Sequence, residues 1–272
     1  MPTLWREALH DGILTATYSN PPMNYYTEQA IDELEGLVAG WRRSDARVIV
    51  LCGGVSGKFI THFSAEEILD GVRAPETFID KGPIRNERLN RILRGMSELN
   101  QPVIAALNGD AMGFGFELAL ACDLRVGQIG DHRYGLCETS LGIIPGGGGT
   151  QRLARVVGLG TALDLVLRAR VLKPEEALDY GLLSTCAEDA LGAAQNIARE
   201  ICGKPRHGVA MAKRALHRGY NLSLADALTV ETDASFRARL TDSARDALEE
   251  YVALPFPERR DWLEHVHEPR LD

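Results

Sequence analysis

Two short segments hold the residue types that could do chemistry. Asn108-Gly-Asp-Ala-Met-Gly-Phe-Gly-Phe-Glu117 and Glu138-Thr-Ser-Leu-Gly-Ile-Ile-Pro-Gly-Gly-Gly-Gly-Thr-Gln-Arg152 each join one carboxylate to several glycines. Carboxyl groups move protons, and exposed backbone N–H groups stabilise an oxygen that gains negative charge. Together they meet what proton transfer next to a carbonyl requires, which points to an enzyme acting on an acyl compound. In the first segment a strand is expected to end at Leu107 and a helix to open around Gly113 to Gly115. A helix opening leaves N–H groups unpaired and carries partial positive charge. Glycine lets a ligand approach that backbone closely, and one such donor is worth about 2.7–4 kcal/mol of barrier. Taken alone, Glu117 reads rather as an acid that complements the helix dipole. The second segment shifts the reading toward chemistry.

Other chemistries fit the residues less well. No Gly-Lys-Ser/Thr follows the glycine run at 146–149, so a phosphate-binding P-loop is excluded. Leu118 and Gln151 stand where the last glycine of G-x-G-x-x-G would fall after Gly113 and Gly146, against a dinucleotide fingerprint. Gly54-Val-Ser-Gly57 is one residue short of a serine nucleophile elbow. His62 is a lone histidine, more often packed or solvated than catalytic. His265 and His267 cannot share a helix face, so no metal site is expected. Cys137 reads as a buried small side chain rather than a nucleophile.

These segments need strands and helices to hold them. Residues 13–18 alternate as a strand does, and residues 20–24 make a turn or extended loop. The spacing of Ile31, Leu34, Leu37, Val38 and Trp41 predicts a helix over Thr27 to Arg43. Residues 47–52 form a short apolar strand stopped by Gly53-Gly54. Residues 65–100 read as helix interrupted at Gly71, Pro75 and Gly82-Pro83, a segment suited to a flap over a pocket. A buried strand at 102–107, a turn and a helix at 113–121 follow, then a strand at 123–126. Helices are predicted at 152–168 and 174–180 and a strand over 181–185, with helix almost throughout from Ala187 to Pro255. Short strands alternating with helices give an α/β core with largely parallel strands, followed by a helical tail.

With 272 residues, 45% hydrophobic and 25% charged, the chain can bury a substantial core. The formal net charge of −8 argues against nucleic-acid binding. No run of eighteen apolar residues exists, so no membrane span is expected. The first twelve residues do not read as a secretory signal. Five cysteines without a CxxC pair fit a reducing compartment, and the expected location is cytoplasmic.

Taken in order and spacing, the chain resembles the crotonase family, the enoyl-CoA hydratase/isomerase superfamily, from about Asn20 to Arg260. The matching stretches are residues 20–24, 102–109, 117–123, 138–153 and 176–183, with Phe256 and Arg259. The resemblance implies a spiral of ββα units over residues 1–195 and a helical C-terminal trimerisation region over 196–272. It implies an acyl-coenzyme A thioester as substrate, no metal or redox cofactor, and assembly as a homotrimer or homohexamer. Hydratases of the family carry two glutamates, which fall here on Glu117 and Glu138. The implied reaction is addition of water to a 2-enoyl-CoA, giving a 3-hydroxyacyl-CoA. Glu117 would chiefly activate the water, Glu138 would deliver a proton, and Gly146 would help hold the water. The oxyanion amides map to Thr61 and Phe114, and substrate contacts to Phe59, Thr61, His62, Phe63, Ser64, Gly113 and Phe114.

The chain departs from the family pattern where Ala-Gly-Ala-Asp is replaced by Thr61-His62-Phe63-Ser64, and where Phe114 stands for a glycine. These larger side chains are expected to alter acyl selectivity. Two alternatives stay open. One is another thioester-enolate reaction: isomerisation, decarboxylation or hydrolysis. The other is an acyl-CoA-binding oligomer without catalysis.

Overall fold

The computed structural model describes residues 2–76 and 84–265. Two sheets organise it. The larger has strand order β1-β2-β3-β5-β7-β10 and the smaller β4-β6-β8-β9. The hairpin of β1 (Trp5–His10) and β2 (Ile13–Tyr18) is antiparallel, and β2 then pairs in parallel with β3 (Val48–Gly53). From there β5 (Val103–Leu107), β7 (Leu124–Gln128) and β10 (Thr185–Ala187) extend the same parallel sheet. The smaller sheet takes β4 (Gly57–Ile60), β6 (Gly109–Met112) and β8 (Tyr134–Gly135) in parallel and closes on β9 (Val171–Leu172).

Successive strands therefore alternate between sheets: β3 then β4, β5 then β6, β7 then β8. Each corner is tight. A Cβ on Gly53 would lie 2.6 Å from the Phe59 carbonyl oxygen and 2.7 Å from its Cα, so only glycine fits where the chain turns from one sheet to the other.

Helix α1 (Glu28–Trp41) starts where Thr27 Oγ1 accepts the Ala30 N–H at 3.3 Å. It buries Ala30, Ile31, Leu34, Val38 and Trp41. The segment read as interrupted helix contains α2 (Ala65–Arg73) and α3 (Ile84–Ser97); the expected break at Gly82-Pro83 lies outside the described residues. Helix α4 (Phe114–Ala121) is buried along its whole length, as its lack of polar residues other than Glu117 requires. The run expected as one helix from 152 to 168 is two, α5 (Gly149–Val157) and α6 (Leu159–Leu167). Gly158 breaks it with a φ of 78°. Helix α7 (Pro174–Asp179) follows, and the strand expected at 181–185 lies instead at 185–187. Residues 109–112, expected as a turn, are strand, because the sheet they join is built only by tertiary contact.

Helix α8 (Ala190–Cys202) covers one face of the large sheet with Ala190, Ala194, Ala198 and Cys202, small side chains that let it lie close to Val50, Ile104 and Val126. The larger core lies on the other face and includes Trp41, Tyr18, Tyr26, Leu34, Leu93 and Phe116. Then come α9 (Arg206–Gly219), α10 (Leu224–Arg239), α11 (Asp242–Ala253) and α12 (Arg259–Glu264). Helix α9 is pinned to the core through Lys213, whose Nζ lies 2.8 Å from Asp123 Oδ2 and donates to the Met96 and Gln101 carbonyls. His217 Nε2 lies 2.6 Å from Asp123 Oδ1. Burial would raise the Asp123 carboxyl, but the His217 hydrogen bond and the Lys213 charge outweigh it and hold it below the usual range.

Candidate active site

The end of β6 and the opening of α4 place Gly113, Phe114 and Glu117 together. Gly113 has a φ of 49°, and a Cβ there would stand 3.3 Å from Glu138 Oε1. Phe114, at the first helical position, has no earlier turn to accept its N–H. Glu117 follows three residues later and is 2% exposed.

A buried carboxylate needs partners. Glu117 Oε1 accepts the N–H of Gly147 at 2.8 Å and of Gly149 at 2.7 Å. Gly149 is the first residue of α5, so the carboxylate also sits at a helix N-terminus. Burial pushes the Glu117 pKa up, while the Gly149 and Gly147 amides, the Arg152 charge and the Gly146 amide favour its ionised form. Its other oxygen, Oε2, faces Gly147, where a Cβ would approach to 2.9 Å. The glycine loop thus fits around this carboxylate with no space for a side chain.

Glu138 opens a short 3-10 turn at Glu138–Leu141. Its Oε2 is buried with no hydrogen-bond partner among the described residues. Burial, and then the negative charge of Glu117, raise its pKa to about 7; its own amide and that of Cys137 pull the other way. Burial raises both carboxyls, but their surroundings differ: the loop amides and the Arg152 charge work against that rise at Glu117, whereas Glu138 Oε2 has no hydrogen-bond partner among the described residues. The pair can take one proton and give another. Cys137 beside it has its thiol pushed up by burial and by Glu138, which suits a packed side chain and not a nucleophile.

The residues expected to bind substrate separate into two groups. Gly113, Phe114 and Gly146 border the carboxyls, as does His62, whose Cβ lies 3.6 Å from where a Gly113 Cβ would be. The His62 ring stacks on Tyr25 at 4.4 Å, and its Nδ1 lies 2.6 Å from the Phe63 carbonyl oxygen.

Three residues of the expected site have groups engaged within the fold itself. Thr61 does not offer a free amide: its N–H points to the Asn24 carbonyl at 3.3 Å, its hydroxyl donates to the Met23 carbonyl at 2.5 Å, and its carbonyl accepts from Met112. It directly follows β4, and each of its polar atoms has a partner. Phe59 is 1% exposed, with its ring in the core and its carbonyl taken by Asn24 Nδ2. Ser64 caps α2, accepting the Glu67 N–H at 3.2 Å and donating to Glu66.

The Phe114 ring is 4% exposed and packs 4.4 Å from Tyr26 and 6.3 Å from Phe63, both centroid distances. Its bulk is absorbed by this aromatic cluster, while Phe63 is only half-buried. The sequence offered no assignment for Asn90 and Arg152, which grip the glycine loop from outside. Arg152 Nη1 donates to the Gly147 carbonyl at 2.6 Å and Asn90 Nδ2 to the Gly146 carbonyl at 3.2 Å. Arg152 is the one cation in the second glycine segment, a signal that could have marked it. Among the described residues no group of three His, Cys, Asp or Glu side chains could hold a metal ion, and no helix is long and apolar enough to cross a membrane.

The chain is similar to known proteins in both sequence and fold. A short-chain-enoyl-CoA hydratase of Clostridium acetobutylicum is 38% identical over 165 residues, 60% of this chain and 63% of that protein. A mitochondrial methylglutaconyl-CoA hydratase of Mus musculus is 36% identical over 220 residues, 79% of this chain and 66% of that protein. The chain thus spans somewhat less than two-thirds of these relatives' length. The crystal structure of an enoyl-CoA hydratase from Geobacillus kaustophilus HTA426 superposes with a TM-score of 0.86 at 26% identity, covering 93% of this chain and 94% of that one. That of an enoyl-CoA hydratase from Bacillus anthracis gives 0.84 at 25%, covering 99% and 100%. The fold is therefore the crotonase α/β fold. The enoyl-CoA hydratase/isomerase family model matches residues 8–262, and the chain belongs to that family, the crotonase superfamily of acyl-CoA enzymes.

Proposed function

We propose that the protein is an enoyl-CoA hydratase that adds water across the C2=C3 bond of a 2-enoyl-CoA. The observation that carries this reading is the unequal carboxyl pair. Glu117 is pinned through Oε1 by two loop amides, and Glu138 holds an unpartnered buried oxygen with a pKa near 7. In this reading Glu117 takes a proton from water as its oxygen bonds to C3. The C2=C3 electrons move toward the thioester carbonyl, whose oxygen gains charge beside the Phe114 amide. Glu138 then gives its proton to C2 as the carbonyl re-forms. Water addition leaves the overall oxidation state unchanged, so the reading calls for no redox cofactor; coenzyme A enters only as the acyl carrier within the substrate.

The similarity to short-chain-enoyl-CoA and methylglutaconyl-CoA hydratases supports hydration over the other enolate reactions of the family. Assembly through the C-terminal helices is part of the same proposal. Helices α9 and α10 border an apolar groove of about 620 Å³, with Leu216, Leu224 and Leu228 exposed along it.

The test is a panel of 2-enoyl-CoA thioesters in isotopically labelled water with mass-spectrometric readout. Hydration adds one labelled water to the product. Glu117→Gln and Glu138→Gln should each lower kcat by about 10²–10⁴ with little change in KM, because proton transfer acts in the transition state. A product of unchanged mass, or variants as active as the parent, would overturn the assignment.

A further inference from the structure

Glu117 is held by the most deformable backbone in the chain, four consecutive glycines whose amides could point in many directions. Two of those amides nevertheless converge on one carboxylate oxygen. In a planar trans peptide the carbonyl and the next N–H point opposite ways. Whatever holds the Gly146 carbonyl therefore sets the direction of the Gly147 N–H. That holder is Asn90 Nδ2 on α3, 3.2 Å away. The next carbonyl, of Gly147, is held by Arg152 Nη1 on α5 at 2.6 Å. The two side chains also enclose Gly148, whose φ of +90° suits glycine. A Cβ there would lie 2.9 Å from Asn90 Oδ1 and collide with the Arg152 guanidinium.

We propose that Asn90 and Arg152 are positioning residues. Asn90 orients the peptide whose Gly147 N–H pins Glu117 Oε1, and Arg152 holds the following carbonyl and so fixes the loop between Gly147 and Gly149, leaving Oε2 to meet the reacting water. The proposal rests on the reading of Glu117 as the water-activating carboxylate. Asn90 acts through geometry alone, since it carries no charge. Arg152 adds a cation, which works against the effect of burial on Glu117.

The test uses the full chain with Asn90→Leu, Arg152→Met and Arg152→Lys, and two readouts. The first is kcat and KM on a 2-enoyl-CoA across pH. The second, independent of turnover, is titration of the Glu117 carboxyl by nuclear magnetic resonance of carbon-13-labelled glutamate, assigned by comparison with Glu117→Gln. Asn90→Leu should lower kcat about tenfold, the worth of one orienting hydrogen bond, with KM within about twofold. It should also move the Glu117 titration upward. Arg152→Met should do both more strongly, and Arg152→Lys should recover part of the loss. A folded Asn90→Leu variant with unchanged kcat and unchanged Glu117 titration overturns the proposal, whatever happens to its Tm. If Asn90→Leu fails to fold, Asn90→Ser is read by the same two measurements, and no change in either overturns the proposal equally. If the parent hydrates no enoyl thioester while Asn90→Leu still moves the Glu117 titration, the reaction assigned above falls and the positioning role stands.

Discussion

Replacing Glu138 by Gln should make the protein more stable above neutral pH and leave its stability in acid nearly unchanged. The carboxyl is raised from 4.5, the ordinary glutamate value, to about 7 by burial and by Glu117. Between those values the folded state keeps a proton that the unfolded chain releases, so stability falls as pH rises through this window. At 1.36 kcal/mol per pH unit the whole interval amounts to about 3 kcal/mol, and partial exposure of the side chain reduces the expectation to about 1–3 kcal/mol. Glutamine cannot ionise, and it also removes the like charge facing Glu117, which acts in the same direction. The assay is urea unfolding of parent and variant at several pH values from 4.5 to 8, at one fixed protein concentration. The two stability curves should nearly meet at the acid end and separate toward pH 8, with the variant above. The same ionisation should appear in kinetics, hydration by the parent declining as pH rises through about 7. Parallel stability curves across the whole range, or a variant that loses ground as pH rises, would show that Glu138 is not held protonated by its surroundings and would remove its role as the acid.

Two further outcomes follow from the packing. Lys213→Met leaves the buried Asp123 without its ammonium and the Met96 and Gln101 carbonyls without a donor, so it should cost about 3–5 kcal/mol in urea unfolding; a loss below about 1 kcal/mol would mean that α9 is held by its apolar contacts alone. Phe114→Gly empties a site whose ring is 4% exposed and should cost about 3–5 kcal/mol, whereas half-buried Phe63→Ala should shift the preference across acyl lengths with less loss of Tm. The reverse pattern on an enoyl-CoA panel would place Phe114, not Phe63, at the acyl group.

The parallel α/β core, the helix beginning at Thr27 and the presence of one acid in each glycine segment were legible because each rests on local pattern. Alternation marks a strand, the spacing of Ile31, Leu34, Val38 and Trp41 marks a helix face, and an acid among glycines marks a helix opening. The strand at 109–112 was not legible, since its partners lie in β4 and β8 and no local signal separates it from a turn. The engagement of Thr61 was not legible for a related reason. Whether an amide is free depends on what crosses it, and here the Asn24 carbonyl does. Phe59 and Phe114 likewise show that side-chain identity does not say which way a ring packs.

The amino-acid order by itself determined the chemical inventory: two glutamates, the glycines beside them, and the spacing that assigns the chain to its family. Folding decided how those parts differ from one another. Glu117 meets amides 30 and 32 residues away, and Asn90 reaches a carbonyl 56 residues on. Glu138 has a buried oxygen with no partner among the described residues. The proton affinity of a carboxyl is set by burial, donors and neighbouring charge, and all three are supplied by segments distant in the chain.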